Sequence, residues 1–205
     1  MDLSLNGEML VDEDSFKSLG SILSKNGGVV EDVTSRVNEG AKVSGALSRI
    51  WKVGSFGIGV KRMMYERIVV PTVTYGAEAW WLREGVKKRP KVFERKCLRK
   101  ICGVTVMDRI RNVVIREEVG VMRDLAGRME SCVLRWFSHV ERMDGERMAK
   151  RIYDSGVEGR RGRGRPIMGW MEGVILALRN RALTLEQARE IVHDSPVWRG
   201  LINGL

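Results

Sequence analysis

Apolar residues along this chain recur mostly at helical spacing. Val30, Val33, Val37, Ala41, Ser44, Leu47 and Trp51 fall at three- and four-residue steps, one face of a long helix, while Arg36, Lys42 and Arg49 fall elsewhere. Lys25-Asn-Gly-Gly28 breaks the chain before this helix, and Gly54 to Gly59 ends it as a loop. Lys61 to Val70 is predicted helical, with Pro71 interrupting or restarting the helix. Thr72 to Leu82 is expected to continue it with Tyr75, Ala79 and Leu82 on one face. Trp80 and Trp81 cannot both point inward on a helix, so one is expected in the core and the other against a neighbouring helix or a base. Met63 to Leu82 is the longest nearly uncharged stretch, and the segments on either side of it are amphipathic.

Downstream, Val92, Phe93, Cys97, Leu98 and Ile101 keep helical spacing until Gly103 closes the helix. Asp108 is expected to begin another helix, running through Arg111, Val114 and Ile115 to Val119. Met122, Leu125, Met129, Cys132, Trp136 and Val140 define a longer amphipathic one, and Met122, Met129, Met143 and Met148 are expected to fill core. Trp170, Val174 and Leu178 mark a helix within Ile167 to Arg181. Thr184 caps the next with Gln187 three residues on, and Asp194-Ser-Pro opens the last. Only the N-terminus departs from this pattern. Leu3 to Val11 reads as two short strands across an Asn6-Gly7 turn, and Ser15 to Leu23 as a third strand. Between them, Asp12 to Asp14 is a turn whose carboxylates face water.

The predicted class is mainly α: a helical bundle with a small N-terminal β-hairpin region and a short C-terminal helical subdomain. The divisions fall at 1–24, a helical region 25–103, a helical region 104–155, a basic Gly/Arg linker 156–166 and a small helical region 167–205.

Charge adds a functional expectation. The chain of 205 residues has a formal net charge of +10, which favours a polyanionic partner because each cation on a phosphate releases a counterion. Nine basic residues (Arg83, Lys87, Lys88, Arg89, Lys91, Arg95, Lys96, Arg99 and Lys100) stand against Glu84 and Glu94 on one amphipathic helix. A solvated helix face is usually mixed in sign, so this one points to phosphate. Lys87, Lys88, Arg89, Arg95, Arg99 and Lys100 are the candidate contacts, with Arg160, Arg161, Arg163 and Arg165 in the Gly/Arg linker as a second, flexible anchor. Gly164-Arg165-Pro166 resembles the core of an AT-hook.

Catalytic patterns are not apparent. The acids do not form a set for two divalent ions, and His139 and His193 lie in no nucleophile or metal-ligand context. No cofactor is implied. Three cysteines without paired spacing, and an N-terminus unlike a signal peptide, predict free thiols in an intracellular compartment, nucleus or cytoplasm. No membrane partner is expected.

Several phrases then form a set. Phe16 to Ser24 (FKSLGSILS) is similar to the FKYLGS strand of non-LTR (LINE-type) retrotransposon reverse transcriptases. Met64 to Trp80 resembles their YGxExW thumb segment. Phe93 to Gly103, Asp108 to Asn112 and Leu134 to Met143 resemble the run that follows it. Arg161 to Pro166, Trp170, and His193-Asp194 through Trp198-Arg199 complete the family's order.

The resemblance implies a thumb-like bundle and the downstream C-terminal region, with residues 1–24 as the end of the palm, at the primer grip. The catalytic YxDD aspartates would lie upstream, so the chain is expected to grip template and primer without polymerising on its own. RNA, DNA or an RNA–DNA hybrid is the implied partner, together with the palm and fingers of the parent protein. Ser18, Ser138 and Ser195 depart from the family's Tyr, Gly and Arg and suggest a decayed or domesticated copy. The alternative function is therefore a helical remnant that contacts proteins through Trp80, Trp81 and Trp136, or that has no function.

Overall fold

A computed structural model describes residues 4–5, 8–9, 13–25, 27–155 and 169–204. Strands β1 (Ser4–Leu5) and β2 (Glu8–Met9) pair antiparallel with Ser4 opposite Met9. The Asn6-Gly7 turn and Asp12 lie outside the described residues. The single strand expected over Ser15 to Leu23 is instead a hairpin of β3 (Ser15–Ser18) and β4 (Ser21–Ser24), with Phe16 opposite Leu23. Leu19 (φ 48) and Gly20 (φ 87) both turn left-handed, as a two-residue hairpin loop requires.

Helix α1 (Val30–Ala46) buries Val33, Val37, Gly40 and Ser44, whereas Val30 and Ala41 are exposed. Gly40 belongs to the buried face because a Cβ there would meet Val73 Cγ2 at 2.2 Å. Asp32 is buried as well, and joins three elements. Its Oδ1 accepts from the Ile22 amide of β4 (3.0 Å), and its Oδ2 accepts from Trp80 Nε1 (2.7 Å). The predicted long helix breaks at Leu47, and α2 (Ser48–Lys52) follows it.

Helix α3 (Ile58–Met64) leads into a π-helical turn, Tyr65–Val69, and then α4 (Val70–Thr74). Pro71 sits in the first turn of α4 and so marks a restart. The widened turn just before it accommodates a residue with no N–H to donate. Helix does not continue to Leu82 as expected. Gly76 turns left-handed (φ 75), a 3-10 turn spans Ala77–Ala79, and the chain then runs extended at Trp80. Extended backbone sends neighbouring side chains to opposite sides, so both tryptophans are buried, Trp80 at 1% and Trp81 at 8% exposure. Trp81 Nε1 donates to the Gly27 carbonyl at 3.3 Å. Neither ring is available to a partner.

The remaining helices are α5 (Glu84–Cys102), α6 (Asn112–Val119), α7 (Leu125–Glu141), α8 (Met148–Ser155), α9 (Trp170–Arg179), α10 (Leu185–Ile191) and α11 (Ser195–Asn203). Gly103 (φ 71) ends α5. Asp108 does not start α6. Its carboxylate is spent on the preceding loop, accepting from the Thr105 amide (2.6 Å) and hydroxyl (2.9 Å). Thr184 and Gln187 form the expected capping box, with Thr184 Oγ1 accepting from the Gln187 amide at 3.2 Å.

Helix α7 is the centre of the bundle, packing on the 3-10 turn, α4, α5, α8, α9 and α11. One apolar core runs from Val33 of α1 through Leu134 of α7 to Ile202 of α11. Met129 belongs to it, but Met122 (95% exposed) and Met148 (67%) do not fill core. Among the described residues, no helix is long and apolar enough to cross a membrane.

Candidate nucleic-acid interface

Helix α5 buries Val86, Pro90, Phe93, Cys97, Leu98 and Ile101 along one side. That stripe fixes the helix's rotation and so decides which cations meet water. Lys88, Arg89, Arg95, Lys96 and Lys100 are exposed on the other side. Lys88, Lys96 and Lys100 make no hydrogen bond or ion pair among the described residues, so their charges are uncommitted. Arg95 Nε bonds only its own helix, at the Lys91 carbonyl (3.1 Å). Arg89 has one long contact, to Thr34 Oγ1 (3.3 Å).

Two of the expected contacts are otherwise engaged. Lys87 is 2% exposed, and its ammonium lies between Glu130 Oε1 (2.5 Å) and Glu84 Oε1 (3.0 Å). Burial alone would push its pKa down, but the hydrogen bonds to Glu130 and Glu84 outweigh this and hold it above the usual lysine value. Such a group cannot reach a phosphate. Arg99 is committed to the loop after α5, donating to the Thr105 and Ile110 carbonyls (2.8 Å each) and to Asn112 Oδ1 (3.0 Å). Arg160, Arg161, Arg163 and Arg165 lie outside the described residues.

The acids of α5 are engaged too. Glu84 pairs with Lys87 and Lys91, whose hydrogen bonds hold its pKa below the ordinary carboxylate value. Glu94 is buried, with Oε2 on Arg116 (2.8 Å) and Oε1 accepting from the Leu125 amide (2.9 Å) and the Tyr65 hydroxyl (3.3 Å). Burial pushes its pKa up despite the arginine. The outward side of α5 is therefore strongly positive, its exposed carboxylate, Glu84, standing at the N-terminal end in ion pairs with Lys87 and Lys91.

Clefts flank this side. One, of about 260 Å³, lies between α1 and α5 and is lined by Thr34, Arg83 and Arg89 among others. A wider one, of about 700 Å³, lies between α5 and α6, with Lys91, Arg95 and Arg116 facing Val113 and Met122. Among the described residues, no three His, Cys, Asp or Glu side chains converge on a point that could hold a metal. The thiols are not activated: burial pushes Cys97 and Cys132 up, and burial with Glu118 nearby pushes Cys102 up to about 11.

No protein-family model matches the chain, and no solved structure does. An uncharacterized transposon-derived protein of Caenorhabditis elegans is 29% identical over 82 residues, covering 38% of this chain and 29% of that protein. The chain is similar to transposon-derived sequence. That likeness supports a transposon-related origin, and the match spans under a third of the relative's length.

Proposed function

We propose that this chain binds nucleic acid through the outward side of α5, in the manner of the thumb and downstream region of a LINE-type reverse transcriptase. Lys88, Arg89, Arg95, Lys96 and Lys100 would lie along a sugar-phosphate backbone, and Arg160 to Arg165 would add a second anchor. The observation that carries the reading is the sorting of charge on α5: its acids are tied to partners, while five cations stay exposed on one side. The partial match to a transposon-derived protein agrees with the ancestry. In this reading the chain grips template and primer and does not transform them.

The test is binding to an RNA–DNA hybrid and to duplex DNA after replacing the five cations by glutamine. All five side chains face water, so the variant should fold as the wild type does. Loss of binding supports the proposal, and unchanged affinity for both duplexes refutes it. Magnesium-dependent nucleotide incorporation by the purified chain would refute the restriction to gripping.

A second reading has its own observation. Val113 and Met122, 66% and 95% exposed, form an apolar lip on the wider cleft and suit a protein contact. Partner binding that is insensitive to salt would favour it.

A further inference from the structure

Helix α7 is enclosed by the bundle, and of its 17 residues only Arg135, Trp136 and His139 are exposed. These three line an open basin of about 430 Å³ with Cys132, Arg142 and Glu78. Trp136 is 39% exposed, whereas Trp51, Trp80, Trp81 and Trp198 are at 8% or less. The His139 ring lies 5.3 Å from the Trp136 ring at 41°, so it supports the indole without covering it face to face.

Two cations line the basin with the ring. Arg135 makes no side-chain hydrogen bond or ion pair among the described residues. Arg142 is anchored by Nη1 on the Val192 carbonyl (2.6 Å), which holds its guanidinium at the rim. Across the basin, the 3-10 turn that carries Glu78 is pinned by Trp170 Nε1 donating to the Glu78 carbonyl (2.8 Å). An available indole, sharing its basin with two cations and a carboxylate, matches the parts of one nucleotide. A base stacks on the ring, its phosphates meet the guanidiniums, and its amino group donates to the carboxylate.

We propose that this basin is a subsite for one unpaired nucleotide of a single strand. Trp136 stacks the base, Arg135 and Arg142 take the adjoining phosphates, and Glu78 favours bases that carry an amino group. A paired base offers neither a free face nor a free amino edge, so the subsite discriminates single strand from duplex. The subsite rests on the nucleic-acid reading but shares no residue with the outward side of α5, so the two can fail separately.

The experiment uses the full chain with short oligo(dC), oligo(dT) and an abasic strand of equal length, read by anisotropy and by quenching of tryptophan fluorescence. Trp136→Leu is expected to weaken oligo(dC) binding about 5- to 150-fold, the range of one base–aromatic stack, while Trp136→Phe retains most of it. Abasic-strand and RNA–DNA hybrid binding should not change with Trp136→Leu. Arg135→Gln should weaken all single strands, and Glu78→Gln should reduce the preference for oligo(dC) over oligo(dT). Should Trp136→Leu lower the unfolding midpoint, Arg135→Gln carries the test, because that side chain has no partner to lose. Oligo(dC) affinity unchanged in both Trp136→Leu and Arg135→Gln overturns the proposal, including the case in which this surface serves a protein contact. Retained single-strand effects alongside normal hybrid binding in the α5 glutamine variant would uphold the subsite and reject the α5 grip.

Discussion

Lys87→Met separates the interior of α5 from its surface. In the wild type the ammonium is enclosed with the carboxylate of Glu130, whose side chain is 9% exposed. Removing one member of a buried pair costs about 3–5 kcal/mol, because the other charge is left desolvated. Glu130 keeps Arg181 Nη1 (3.1 Å) and Asn180 Nδ2 (2.7 Å), so the lower end, about 3 kcal/mol, is expected. At roughly 2–4 °C per kcal/mol for a chain of this size, that is a fall in Tm of about 6–12 °C. Urea unfolding of wild type, Lys87→Met, Glu130→Gln and the double variant closes a cycle, and the coupling should exceed about 1 kcal/mol. Because the folded pKa of Lys87 is raised, its contribution is full below the unfolded lysine value. It is lost only as pH rises through the folded value, well above neutrality. Nucleic-acid binding by the folded variant should match wild type. Stability within about 0.5 kcal/mol of wild type, or a drop in salt-dependent binding like that of Lys88→Gln, would refute this account of Lys87.

Asp32→Asn should cost about 1–3 kcal/mol, since the two donors use different carboxylate oxygens and the amide NH2 that replaces one of them faces either the Ile22 amide or Trp80 Nε1 donor to donor; a thermal melt equal to wild type contradicts this. Gly173→Ala places a Cβ 2.8 Å from Trp81 Cα and 2.9 Å from Trp81 Cβ. The overpacking, about 1–3 kcal/mol, should exceed the gain in helix propensity of about 1 kcal/mol, so a higher Tm would show that α9 does not cross Trp81 this closely. Glu94 has a folded pKa above its unfolded value, so its proton uptake stabilises the fold as pH falls from neutrality, and that gain is lost again as pH rises through the folded pKa. Wild type should therefore gain stability relative to Glu94→Gln on mild acidification, and parallel stability–pH curves would count against the buried environment of Glu94.

Local signals in the sequence led to the right elements where the cause was itself local. The Thr184–Gln187 capping box, the Gly103 stop and the apolar spacing of α5 each need only a few neighbouring residues. The mainly helical class with its N-terminal hairpin region follows from such signals. The errors arise where distant chain decides the outcome. Gly76 turns the chain out of α4, and only then can adjacent tryptophans both be buried, with Asp32 and Gly27 waiting as acceptors. Lys87 and Lys88 are neighbours in sequence, yet one faces Glu130 on α7 and the other faces water. Helical spacing from Pro90, Leu98 and Ile101 puts Lys87 on the buried side of α5 and Lys88 off it, but the carboxylate that lets a lysine stay there lies 43 positions away (130 minus 87). The exposed group on α7 was hidden for the converse reason, because apolar spacing put Trp136 in the core stripe and the true buried face is rotated toward Val133, Leu134 and Phe137.

Salt dependence of binding to an RNA–DNA hybrid is the most direct test of the grip. A plot of log K against log[salt] should fall steeply for the wild-type chain. Each of Lys88, Arg89, Arg95, Lys96 and Lys100 changed to glutamine should flatten the slope by about 0.7–0.9 for every phosphate it no longer neutralises, whereas Lys87→Met leaves it unchanged. A slope that is the same in the wild type and in the variant lacking all five cations would contradict the account.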